Sequence, residues 1–93
     1  MKTIEDNIVK IAKALSDKTR IRILKEIAKK GSISCGDAEE IAKLSQPTVS
    51  HHLKILTEAG LLNAEKNGRH VLISVNTNAL KEFSDLLSES VKV

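Results

Sequence analysis

This chain of 93 residues is short of the side chains that usually build or staple a small domain. It has one Cys, one Pro, one Phe and no Trp or Tyr. A lone thiol, Cys35, cannot close an intrachain disulfide, which excludes a secreted, disulfide-stapled fold. With Phe83 the sole aromatic, the core must be made of Ile, Leu, Val and Ala. A chain of this length buries only about 60–65% of the surface that its unfolded form exposes. So lean a core suggests that a second copy of the chain covers part of the apolar surface. No run approaches the ~20 apolar residues of a membrane span, and no N-terminal stretch has the apolar centre of a signal peptide. Internal repeats, low-complexity tracts and interdomain linkers are also missing. The expectation is one domain over 1-93, soluble and cytoplasmic, with no membrane partner.

Enzyme chemistry finds little to work with. There is no Gly-rich phosphate loop, and a nucleophile with its base and orienter, or paired carboxylates in a cleft, would need a pocket that so short a chain has little room to build. No catalytic residue is expected. The charge is more informative. The net charge is +3, and the excess is uneven. Lys10, Lys13, Lys18, Arg20, Arg22, Lys25, Lys29 and Lys30 face only Asp17 and Glu26 in the same stretch. Such a balance suits a polyanionic partner.

The most telling stretch runs from Ser45 to Leu56. Ser45 can cap a helix, and Pro47 falls in the first turn, where a missing N–H costs little. At about 100° per residue, Val49, Leu53 and Leu56 share one face. Ser50, His51, Lys54 and Glu58 point the other way, with Gln46 and Thr48 flanking them. A solvated helix face is usually filled with Glu, Lys and Ala, which favour helix. Gln, Thr, Ser and two His are poorer helix formers, so another demand selected them. Short donors and acceptors at a helix N-terminus fit a DNA major groove about 12 Å wide. Ser45, Gln46, Thr48, Ser50, His51 and Lys54 are the candidate base and backbone readers. The competing reading is an ordinary amphipathic helix.

Around this helix the periodicity reads clearly. Ile4, Ile8, Ile11 and Leu15 make a helical stripe over residues 4–15. Ser16 then caps a helix from Asp17 to Lys30, with Ile23, Leu24, Ile27 and Ala28 inward and Gly31 as its stop. Residues 32–34 are β-prone and could add one short strand. Ser34 and Asp37 form a capping-box pattern for a helix from Gly36 to Leu44 that buries Ala38, Ile41 and Leu44. That helix and the next make a helix-turn-helix. Leu61 to Lys66 reads as a strand, Asn67-Gly68 as a type I′ turn, and Arg69 to Val75 as the returning strand, with Val71, Ile73 and Val75 inward. Asn76 or Thr77 starts a last helix over about 78–90, with Leu80, Phe83, Leu87 and Val91 on one side. The fold expected is mainly α with a small β-hairpin, in the order α-α-α-α-β-β-α: a winged helix-turn-helix. Lys66, Asn67, Arg69 and His70 lie at the wing tip, where cations meet phosphates or a narrow minor groove. Taken alone, such residues also suit a solvated hairpin.

Leu15-Ser16-Asp17-Lys18-Thr19-Arg20-Ile21-Arg22-Ile23-Leu24, the run Ser45 to Leu62 and Gly68-Arg69-His70-Val71 together resemble the ArsR/SmtB family of winged-helix repressors. The resemblance implies a homodimer joined through its first and last helices, here through Ile4, Ile8, Ile11, Leu80, Phe83 and Leu87. It also implies repression from a palindromic operator in double-stranded DNA. Arg20 would either touch the DNA backbone or form a structural salt bridge.

Many members of that family sense metals. One of their sites uses a Cys pair at the start of the third helix, and here Cys35 stands alone. Another uses Asp and His on the last helix, and residues 77–93 contain no His. A soft metal needs about four donors, and Cys35, His51, His52 and His70 make no such cluster. No metal or other cofactor is expected, and no effector is identified. Cys35 reads as a small apolar residue or as a redox thiol near a helix start. His52, beside the inward face, reads as structural.

Overall fold

The computed structural model describes residues 3–92, with the side chains of Cys35, Ala42 and Asn67 outside the description. The elements are α1 (Ile4–Ala14), α2 (Lys18–Lys30), β1 (Ile33–Ser34), α3 (Cys35–Ala42), α4 (Gln46–Glu58), β2 (Leu62–Asn67), β3 (His70–Val75) and α5 (Thr77–Ser90). This is the expected winged helix-turn-helix order, with the short strand near 32–34 formed.

Local chemistry explains most of the boundaries. The Ser34 hydroxyl accepts from the Asp37 N–H, and the Asp37 carboxylate accepts from the Ser34 N–H, both at 3.2 Å. That reciprocal box starts α3 as expected. The same pattern, unread in the sequence, starts α1, where Thr3 and Asp6 exchange bonds of 3.1 and 3.2 Å. Gly31, at φ +89°, closes α2 in a conformation that suits glycine.

Four local expectations are corrected. Asp17, not Ser16, caps α2: its carboxylate accepts from the Arg20 N–H at 3.0 Å. Ser16 instead donates its hydroxyl to the Lys13 carbonyl at 2.7 Å, which helps α1 end at Ala14. Second, α3 stops at Ala42 because Lys43 turns left-handed at φ 55°. Leu44 therefore leaves the helix and is 38% exposed. Third, Ala28 is exposed rather than inward. Fourth, the hairpin turn is Gly68-Arg69. Asn67 is the last residue of β2 and pairs with His70, and Gly68 takes φ +64° while Arg69 does not go positive. Positive φ at the first turn position alone is the type II′ pattern, which also twists with the strands.

The sheet order is β1-β3-β2. β2 and β3 pair antiparallel from Leu62↔Val75 to Asn67↔His70, and β1 adds Ile33↔Ile73 on the far side of β3. The core lies between this sheet and α2, α3 and α4. Ile23, Ile27, Val49, Leu56 and Leu61 are its largest fully buried side chains. Each contributes about 1.5–3 kcal/mol by leaving water. Ile73 is buried as expected, while Val71 and Val75 are half-buried against the core. The other end of the molecule is less complete. α1 buries only Ala14, and α5 buries no residue.

Candidate nucleic-acid interface

α4 carries two faces set by its period. Val49, Leu53 and Leu56 are buried, and Gln46, Thr48, Ser50, His51 and Lys54 are exposed. Pro47 sits in the first turn, as expected. The Ser45 side chain does not cap the helix. Its hydroxyl lies 3.1 Å from the Thr48 hydroxyl instead. The two form an exposed polar pair at the helix start, beside Gln46.

The sheet brings the hairpin to this helix. A shallow cleft of about 280 Å³ separates them, with Ser50, Leu53, Lys54, Thr57 and Glu58 on one wall. Ala64, Val71 and Ile73 form the other. Lys66, Arg69 and His70 are exposed at the far end of the hairpin. The side chain of Asn67 lies outside the described residues. Among the described residues, the side chains of Gln46, Ser50, Lys54, Lys66, Arg69 and His70 make no hydrogen bond or ion pair within the chain. Their donors and charges remain available to a ligand.

His52 and Arg20 stand behind this surface. His52 is half-buried, and its ring centroid is 6.1 Å from that of exposed His51. Its Nδ1 lies 3.2 Å from Arg20 Nη1. Among the described residues, Arg20 forms no salt bridge. Its Nε donates to the Ala14 carbonyl at 2.7 Å and its Nη2 to the Lys13 carbonyl at 3.2 Å, so it caps the C-terminal end of α1. The Asp17 carboxyl is held below its ordinary range, first by the hydrogen bond from the Arg20 backbone N–H. Partial desolvation opposes this, and the charge of Arg20 adds to it.

The apolar residues expected at a dimer interface gather elsewhere, on α1 and α5. Ile8, Ile11, Phe83 and Leu86 line a cleft of about 440 Å³ between the two helices. Ile4 is 53% and Leu87 41% exposed, and Leu80 is half-buried against the core. Val9, Leu86 and Val91 are also exposed. The stripe read from the sequence included Val91 but missed Val9 and Leu86.

Among the described residues, no group of three or more His, Cys, Asp or Glu side chains is placed to hold a metal ion. The Cys35 thiol lies outside the described residues. Among the described residues, no helix is long and apolar enough to cross a membrane.

Residues 15–65 match a family model described as a helix-turn-helix domain. The transcriptional repressor SdpR of Bacillus subtilis is 38% identical over 72 residues, covering 77% of this chain and 79% of that protein. An ArsR-like transcriptional regulator from Rhodococcus superposes with a TM-score of 0.83 at 25% identity, over 91% of this chain and 79% of its own. A homodimeric winged helix-turn-helix DNA-binding domain from Mycobacterium bovis, solved by NMR, superposes at 0.76 and 21% identity, over 92% and 80%. The matched model spans more than half of the chain and the relatives agree with it, so the chain belongs to the ArsR/SmtB family of winged helix-turn-helix transcriptional regulators.

Proposed function

We propose that this protein is a repressor that binds a palindromic operator in double-stranded DNA as a homodimer, working as one winged-helix unit in the cytoplasm. One observation carries the reading: the hairpin that ends in the exposed basic residues Lys66, Arg69 and His70 shares a cleft with α4, whose exposed face is polar. A twofold pair places two α4 helices about one helical turn apart, ~34 Å, over two half-sites. Gln46, Thr48, Ser50 and His51 meet base edges, with Ser45 and Lys54 beside them. Lys66, Arg69 and His70, with Asn67, take the flanking backbone. The cations supply affinity through counterion release, and the α4 side chains supply selectivity. Ile4, Ile8, Ile11, Leu80, Phe83 and Leu87 join the two copies, and the homodimeric M. bovis domain has the same fold.

Binding of a selected operator and of unrelated duplex, measured over a range of salt, tests this. Gln46→Ala or His51→Ala should weaken operator binding by about 1–3 kcal/mol and hardly change unrelated duplex. Equal losses on both duplexes would remove base reading from α4. Lys66→Ala or Arg69→Ala should lower the salt slope by about one unit each. An unchanged slope would remove the hairpin from the interface.

A further inference from the structure

A helix reads bases only if it is held at a fixed angle to its twin. The buried face of α4 is aliphatic, and hydrophobic contact has no direction of its own. A polar link runs from α1 through α2 to α4. Arg20 sits in the first turn of α2, where the Asp17 carboxylate accepts its backbone N–H at 3.0 Å. Its guanidinium reaches two carbonyls at the end of α1, Ala14 at 2.7 Å and Lys13 at 3.2 Å. The third reach is to His52 Nδ1 on α4, at 3.2 Å. Guanidinium has donors only, so Nδ1 is the accepting nitrogen and the ring proton is on Nε2. The planar fork is rigid, which makes it a better strut than a flexible ammonium.

We propose that Arg20 and His52 are positioning residues for operator binding. The guanidinium locks the pitch of α4 against the C-terminal end of α1, and so sets where each half-site reader stands in the dimer. This rests on the reading of α4 and α1 given above. His52 acts from behind the reading face, through the helix that carries Gln46 and His51. Loss of its acceptor frees the angle of α4 and leaves both bonds to α1 in place.

The experiment uses full-length His52→Ala, His52→Asn and Arg20→Lys. Anisotropy is read on a duplex selected from genomic DNA and on an unrelated duplex of equal length. Thermal unfolding and sedimentation confirm that each variant folds and dimerises. His52→Ala should weaken operator binding about tenfold, the worth of one hydrogen bond. Unrelated duplex should change by less than about twofold, because phosphate contacts tolerate a small rotation. His52→Asn places an amide oxygen near the position of Nδ1 and should restore most of the loss. Arg20→Lys should lose as much as His52→Ala, and the double variant should lose no more than Arg20→Lys alone. The strut is overturned if His52→Ala binds like wild type, if Asn rescues nothing, or if both duplexes lose equally. Gln46→Ala separates the two proposals. If it too costs nothing on the operator, the reading of α4 fails and takes the strut with it. If it costs selectivity while the His52 variants do not, only the strut fails.

Discussion

Helices α4 and α5 have 13 and 14 residues, and both are amphipathic. α4 buries Val49, Leu53 and Leu56 within its own chain, while α5 buries nothing and leaves Leu86 and Leu87 36% and 41% exposed. The same kind of stripe is therefore satisfied at one end of the molecule and unsatisfied at the other. An apolar stripe in a sequence promises a partner but does not say whether the partner lies in the same chain. Here the helix-turn-helix and its sheet are complete in one copy, and α1 with α5 present an uncovered apolar face.

The comparison breaks most sharply in the core. Leu56→Ala empties a fully buried site and should cost 2–5 kcal/mol in urea unfolding, roughly the range for Leu in a packed interior. A cost under about 1 kcal/mol would mean that α4 is no better buried than α5. Leu87→Glu sharpens the other side. It should change the stability of the isolated protomer by less than about 0.5 kcal/mol and convert the dimer to monomer in sedimentation equilibrium. A dimer that survives this change would move the interface off α5.

The smallest effect falls where the two regions meet. Asp17, Arg20 and His52 join α1 to α4, and the Asp17 carboxyl titrates below its ordinary range through the Arg20 N–H. A carboxyl depressed in the folded state stabilises above its unfolded value, about 3.9. That contribution is lost as pH falls through the lower folded value. Asp17→Asn keeps a capping side chain and removes only the charge. Wild type should be the more stable at pH 7, with the gap closing below about pH 4. A gap that stays constant from pH 7 to pH 3 would leave the Asp17 charge with no role.

The readable parts of the fold were those decided within a few residues. The outward set Gln46, Thr48, Ser50, His51 and Lys54 follows from a rotation of about 100° per residue. The Ser34–Asp37 box and the stop at Gly31 are equally local. Where two adjacent residues could do one job, the sequence did not choose. Ser16 and Asp17 can both cap, and Asp17 wins in the arrangement that also puts the Arg20 guanidinium on the carbonyls of α1. Asn67-Gly68 is the stronger local turn signal, yet the turn lies one residue later. With Leu62 opposite Val75 the strands pair along their whole length, and the Asn76 N–H continues the pattern to the Leu61 carbonyl at 2.9 Å.

Taken by itself, the sequence determined the number and kind of elements, which side of each helix is apolar, and the polar make-up of α4. These depend on backbone periodicity and on bonds that span three or four residues, so a linear pattern contains them. Tertiary structure alone decided that Ile33 pairs with Ile73, that Arg20 meets His52 across 32 positions, and that the hairpin lies against α4. Such contacts depend on where whole elements pack, and no short-range preference encodes the distance between side chains that are far apart in the chain.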